Sequence, residues 1–152
     1  VASPNGATCS QYAQNVPYLL VGALINARAV ANVLTHLLDT TVHDLTLIAC
    51  GERWNPPTED GELRVAIEDD LGAGAILSYL NYDKSPEARV CEGGFQQVQS
   101  ILSDVLEDCG SGREFAQKGF EGDVKHAAQL DLYDTVPIMQ NGRLEPLLSR
   151  KT

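Results

Sequence analysis

The sequence predicts an α/β fold, layered α/β/α around a mostly parallel sheet, and three observations carry that expectation. Leu45-Thr46-Leu47-Ile48-Ala49-Cys50 is a nearly unbroken apolar run, as a strand covered on both faces of a parallel sheet requires. Segments on either side of it repeat apolar residues at helical spacing. Helices therefore alternate with at least one buried strand. The chain has 152 residues, enough for one domain and few enough to disfavour two, so 1–152 reads as a single region.

Taken in order, Ser3-Pro4-Asn5-Gly6 is a turn signal and Tyr18–Leu20 a short apolar strand candidate. Val21 to Leu38 reads as the first strong helix, with Leu20, Leu24, Ala27, Ala31, Leu34 and Leu38 on one stripe. The strand 45–50 ends at Gly51-Glu52-Arg53-Trp54, and a polar loop with Pro56, Pro57 and Gly61 follows. Ala66 to Leu80 reads as a helix whose acidic first turn, Glu68-Asp69-Asp70, suits a helix N-terminus. Ser85-Pro86-Glu87 looks like N-cap, N1 and N2 of the next helix. That helix is expected to be interrupted at Gly93-Gly94 and carries Phe95, Val98, Leu102, Val105 and Leu106 on one face. Ser111-Gly112-Arg113-Glu114 fits a capping box, Gly119 and Gly122 read as breaks, and Asp123 to Leu130 as a short helix. Thr135–Met139 and Arg143–Leu148 flank Asn141-Gly142, the strongest short hairpin signal. One strong strand and a few weak ones make a small sheet, which points to further strands upstream of Val1.

Composition narrows the function. Apolar residues make up 43% and charged residues 21%, ordinary for a globular protein. The net charge of −10 opposes nucleic-acid phosphates and anionic membrane surfaces, so neither is expected as a partner. An anionic substrate then needs a local island of arginine, backbone N–H groups or a divalent cation. Cys9, Cys50, Cys91 and Cys109 show neither C-x-x-C nor a zinc spacing, and read as reduced, mostly buried thiols of a cytoplasmic protein.

Three segments could carry chemistry. Glu52 and Arg53 stand where the buried strand delivers the chain to a loop, the place where open α/β sheets bind ligands. They offer a carboxylate for a cation and a planar fork for an oxyanion, or else an exposed ion pair beside a Trp54 that covers the sheet edge. Glu68 and Asp69 could hold a hard cation such as Mg²⁺, or simply answer the helix dipole. The glycines that follow, Gly72 and Gly74, are costly in a helix unless another backbone approaches closely. Cys109-Gly110-Ser111-Gly112-Arg113 could bind an anion at a helix start, or be only a capped helix. A cysteine-phosphatase loop is rejected, because Phe115 and Pro56 stand six residues after Cys109 and Cys50 where an arginine is required. Asp131 and Asp134 are three apart, not the two of a D-x-D, and His36, His43 and His126 form no H-x-x-x-H. G-x-S-x-G and the nucleotide P-loop are absent from the sequence.

Read together, these segments resemble the 2-phosphosulfolactate phosphatases. The resemblance runs through Ser3–Thr8, Leu24–Ala31 (LINARAVA), Ile48–Trp54 (IACGERW), Ile67–Ile76 (IEDDLGAGAI), Cys109–Glu114 (CGSGRE), Gly119-Phe120, Asp123-Val124 and Ala127-Ala128, in that order. It implies Mg²⁺-dependent hydrolysis of (2R)-2-phospho-3-sulfolactate to sulfolactate and phosphate, a step of coenzyme M biosynthesis. Because three separate segments each pair acidic with oxyanion-binding features, Glu68 and Asp69 are expected to hold the metal, with Glu52 beside them; Glu52, Arg53 and Arg113 are the expected catalytic residues, the two arginines holding the phosphate and sulfonate, and Asn5, Gly6, Asn26, Ser111 and Gly112 the expected substrate-binding residues. The family's usual N-terminal segment is missing, so the chain reads as the larger C-terminal part of a longer one. The expected partner is a small anionic phosphorylated substrate, with a homodimer left open. Two other functions fit the same residues: a phosphatase of another phosphorylated hydroxy acid, and a non-catalytic anion-binding or assembly module.

Overall fold

A computed structural model describes residues 4–53 and 61–147. Ser3, Trp54, Pro56, Pro57 and Leu148, each assigned above to a turn, loop or strand, lie outside the described residues. The described elements are helices α1 (Pro4–Tyr12), α2 (Ala27–Thr40), α3 (Ile67–Ser78), α4 (Pro86–Val98), α5 (Leu102–Asp108), α6 (Gly110–Gln117) and α7 (Glu121–Ala127), and strands β1 (Glu52–Arg53), β2 (Leu63–Arg64), β3 (Pro137–Gln140) and β4 (Arg143–Pro146). Short 3₁₀ turns, Leu24–Asn26 and Gln99–Ile101, precede α2 and α5. The mixture of helix and strand agrees with the α/β class.

Helix α3 occupies the centre. It packs against α2 on one side and α4 on the other. Leu71, Gly72, Gly74, Ala75, Ile76 and Leu77 are buried, so the helix is apolar nearly all round, as an enclosed helix must be. Its glycines answer the question the sequence raised. A Cβ on Gly74 would stand 2.5 Å from the Cys91 carbonyl oxygen and 2.7 Å from Cβ of Phe95, so α4 packs directly on this backbone. Phe95, Leu102 and Leu106 complete the far side of the core, while Ala27, Val30, Ala31 and Leu34 supply the α2 side at i, i+3, i+4 and i+7.

Several expectations are corrected. Ser3–Gly6 was expected as a turn, yet Pro4, Asn5 and Gly6 open helix α1; proline is compatible with a first helical turn, where its missing N–H has no partner to lose. The helix expected from Val21 begins only at Ala27. Asn26 is the cause: its Oδ1 accepts the Ala23 N–H at 2.8 Å, and its Nδ2 donates to the Thr135 carbonyl at 3.0 Å and the Val21 carbonyl at 3.5 Å. Gly93 and Gly94 do not interrupt α4; the break comes after Val98. Ser111 is not the N-cap of α6, a place taken by Cys109, whose sulfur accepts the Gly112 N–H at 3.3 Å. Gly122 lies inside α7, whereas Gly119, with φ of +82°, does end α6.

The largest correction concerns the sheet. Among the described residues both sheets are two-stranded and antiparallel, and no mostly parallel layer is present. Residues 45–50 form no ladder with any described residue. Leu45 and Leu47 pack on the core while Ile48 is exposed. Apolarity marked a segment that leans on the core; a strand also needs a backbone partner, and none stands beside it among the described residues. The other strand expectations fare better. β3 and β4 pair from Pro137↔Pro146 to Gln140↔Arg143 around Asn141 and Gly142, whose φ values of +51° and +75° suit a two-residue turn. Leu20 forms an antiparallel bridge to Ile138, with Val21 N–H donating to the Pro137 carbonyl at 2.9 Å.

Candidate active site

Strand β2 ends at Arg64, and α3 starts three residues later. This short link sets Arg64 beside the acidic first turn of α3. The tight α5–α6 junction brings the first turn of α6 to the same place. The result is an open cleft of about 420 Å³, lined by Arg64, Val65, Ile67, Glu68, Asp70, Cys109, Gly110 and Ser111. That volume lies within the range of small-molecule sites.

Arg64 dominates the cleft's positive side. Its side chain is only 14% exposed and pairs with Glu114 Oε2 at 3.8 Å. Nη2 donates to Ser111 Oγ at 3.1 Å. A Cβ on Gly110 would lie 3.8 Å from Nη1, so the guanidinium stands directly over the start of α6. The first amides of a helix have no intrahelical acceptor, and together with a guanidinium they favour an oxyanion. On the opposite side Glu68 holds its Oε2 buried with no hydrogen-bond partner among the described residues.

A second group of residues adjoins this cleft through α3. Asn5 is 8% exposed, and its Nδ2 donates to the Gly51 carbonyl at 2.9 Å and to Glu52 Oε1 at 3.2 Å. Glu52 Oε1 also accepts the Arg53 N–H at 2.7 Å. Gly51 N–H in turn donates to Asp69 Oδ2 at 2.9 Å. Gly51 has φ of +72°, and a Cβ there would approach the Arg64 carbonyl oxygen to 2.9 Å, so only glycine lets the chain turn into β1 at this point. Burial pushes the Asp69 carboxyl above its ordinary value of 3.8, and the neighbouring charge of Glu68 adds to this. The Gly51 N–H works the other way, while Asp70 and Glu52 raise it further. Asp69 therefore sits under the negative charge of Glu68, Asp70 and Glu52.

The residues singled out in the sequence divide accordingly. Glu68, Ser111 and, through the Gly51 relay, Asn5, Glu52 and Asp69 come to this end of the molecule. Gly6 belongs to the first turn of α1, and its carbonyl accepts the Ser10 hydroxyl at 2.8 Å. Arg53 ties β1 to the chain before β2, its Nη1 donating to the Gly61 carbonyl at 2.6 Å. Gly112 uses its N–H for the Cys109 cap. Arg113 does not enter the cleft: its side chain is 62% exposed and pairs with Asp108 at 3.0 Å. Asn26 is spent on the start of α2. Among the described residues no three histidines, cysteines or acids converge as a ready metal-ligand set. The cationic residue that sequence reasoning missed is Arg64. Its only signal was a lone charge before an apolar residue at a helix start, which nothing in the pattern distinguished from a solvated side chain.

The family model described as 2-phosphosulpholactate phosphatase matches residues 1–142. The chain belongs to the 2-phosphosulfolactate phosphatase family. A relative in Carboxydothermus hydrogenoformans, named a probable 2-phosphosulfolactate phosphatase, is 29% identical over 150 residues, covering 95% of this chain and 57% of the relative. One of the same name in Pseudothermotoga lettingae is 29% identical over 130 residues, covering 85% of this chain and 52% of the relative. Another in Microcystis aeruginosa is 24% identical over 140 residues, covering 92% and 56%. This family member therefore spans about half the length of the curated relatives it matches. No helix among its described residues is long and apolar enough to cross a membrane.

Proposed function

We propose that this chain forms part of a phosphomonoester hydrolase that converts 2-phosphosulfolactate and water to sulfolactate and phosphate in the cytoplasm, a step toward coenzyme M. Family membership and the relatives' names support the reaction class. The observation that carries it to a place in the molecule is the cleft in which Arg64, Ser111 and the start of α6 face the carboxylates of α3. Phosphoryl transfer rests on positioning and charge neutralisation, so it does not require a protein nucleophile. Arg64 and the first amides of α6 hold the phosphoryl oxygens, and the Ser111 hydroxyl, already fixed by Arg64, orients them.

Mg²⁺ fits the acidic side of this site. The buried Glu68 Oε2 has no hydrogen-bond partner among the described residues, and the negative charge of Glu68, Asp70 and Glu52 on Asp69 favours a cation nearby. The fit is to an ion held by one or two carboxylates, Glu68 and Asp69, with waters and substrate oxygens supplying the rest, as Mg²⁺ prefers. When bound it would neutralise phosphoryl charge and position the attacking water. Asp69 is kept in place for that task by the Gly51 N–H.

The test is phosphate release by the full-length protein from racemic phosphosulfolactate and simpler phospho-hydroxy acids, with and without Mg²⁺. Release confined to phosphosulfolactate, lost in EDTA and lost in Glu68→Gln/Asp69→Asn, is expected. Turnover of that double variant at the wild-type rate would sink the metal assignment. Equal release from another phosphorylated hydroxy acid would replace the substrate while keeping the site. Phosphate binding without turnover on any of them would make this a binding module.

A further inference from the structure

Residues 45–50 alternate as a strand does without belonging to one. Leu45 and Leu47 pack on the core, whereas Thr46 and Ile48 are exposed, which is the two-residue period of a strand with one covered face. The outward side is not the polar one that solvent favours. Ile48 is 60% exposed, Ala49 beside it is exposed as well, and Val42, just before the run, is wholly exposed. From Leu45 to Ala49 no backbone N–H or carbonyl is hydrogen-bonded to the backbone of a described residue. The Ile48 carbonyl accepts only the Cys50 thiol, at 3.8 Å, and that thiol, expected to be enclosed, is half-buried. Strong donors and acceptors thus lie open along a run whose side chains avoid water.

We infer that residues 45–50 are a docking seam: a β-strand from the part of the family's chain that lies beyond the match pairs with this backbone, and apolar residues packed over it cover Ile48. Two observations choose this occupant. The match takes in 95% of this chain but 57% of the Carboxydothermus hydrogenoformans relative, and 85% against 52% for the one in Pseudothermotoga lettingae. The family's chain therefore holds close to half its length outside the region described here, and that half needs a surface to pack on. The second observation is the run itself. Residues that are nearly all apolar call for cover on both faces as well as hydrogen bonds along the edges. A second copy of this chain, pairing edge to edge, would satisfy the backbone but leave the Ile48 face open, because the two edges join into one continuous sheet. The chemistry of the occupant follows: a strand of apolar and β-branched residues for the ladder, with an apolar layer over the outward face. Main-chain hydrogen bonds hold such a strand, and the alternation of Leu45, Leu47 and Ile48 sets its register. The seam rests on family membership and the exposed run, not on the proposed reaction.

The experiment measures amide hydrogen exchange in the full-length protein and, in parallel, photo-cross-links an Ile48→p-benzoylphenylalanine variant and maps the linked peptides. Exchange at the Thr46–Ala49 amides should be about 100-fold or more slower than in a free peptide of the same sequence. The cross-link should run from position 48 to a peptide outside residues 1–152, in a product that still migrates as a single chain. Ile48→Asp should lower the melting temperature by several degrees, whereas an Ile48 that stays 60% exposed would tolerate the change. Exchange within about tenfold of the free peptide would overturn the inference whatever the cross-link shows, since the amides would then be open in the whole protein. Protected amides with a cross-link confined to residues 1–152, in the same molecule or in a second copy, would overturn the choice of occupant and with it the inference. None of these readouts is turnover, so a failed seam leaves the proposed reaction standing, and an inactive enzyme leaves the seam standing.

Discussion

Arg64→Met tests the site most directly, because it removes a charge while keeping most of the side-chain volume. The guanidinium is 14% exposed and donates to Ser111 Oγ, with Glu114 Oε2 at 3.8 Å. Glu114 is 43% exposed and also pairs with Lys118 at 3.2 Å. A hydrogen bond to a charged group contributes roughly 1.5–3 kcal/mol. At about 1.4 kcal/mol per tenfold, losing one such bond to a phosphoryl oxygen weakens binding by about 10- to 150-fold. Folding should suffer less. Ser111 is half-buried and can turn its hydroxyl to water, so we expect a stability cost of about 1 kcal/mol. Arg64→Lys restores the charge without the fork that serves Ser111 and a ligand together, and should recover only part of the loss. The assay is calorimetric titration with inorganic phosphate, beside steady-state phosphate release and a thermal melt of each variant. If Arg64→Met is folded and stays within twofold of wild type in both binding and turnover, the cleft is not the site.

Three other substitutions separate roles that the sequence had run together. Arg113→Ala should change phosphate release by less than twofold and stability by under about 1 kcal/mol, since its ion pair with Asp108 is exposed on both sides; a tenfold loss of turnover would return it to the site. Asn26→Ala strands the Ala23 N–H and the Thr135 carbonyl, and should cost about 2–4 kcal/mol in a urea titration; a cost under about 0.5 kcal/mol would refute its role as the pin of α2. Asp69→Asn keeps an acceptor for the Gly51 N–H but removes the charge. The folded carboxyl lies above its ordinary 3.8, so its favourable contribution to folding is present below that value and is lost as pH rises through the raised one. The variant should therefore match or exceed wild-type stability at pH 7, with the difference shrinking as pH falls through the raised value toward 3.8, while losing metal-dependent turnover; lower stability at pH 7 in urea titrations would show the charge to be net favourable.

How much of this was legible depends on whether a feature is local. Ser85-Pro86 capped α4 where the pattern placed it, and Asn141-Gly142 made the hairpin, because caps and two-residue turns are decided by neighbours in sequence. The parallel sheet was not decided locally. Residues 45–50 satisfied every one-dimensional criterion for a buried strand, but a ladder needs a partner, and apolarity cannot say where that partner is. The site shows the same division. The acids of α3 and the glycines of α6 were visible as motifs, whereas the arginine joining them was not. Arg113 stood inside the motif and was chosen, though one turn of helix carries it out to solvent; Arg64 stood outside any motif, and strand pairing delivers it to the cleft. Asn26 misled in the same way, since a buried asparagine next to a helix start serves the backbone as readily as a ligand, and here its amide is already committed to Ala23 and Thr135. In a chain of net charge −10, the location of a single half-enclosed guanidinium says more about where an anion can bind than the count of arginines does.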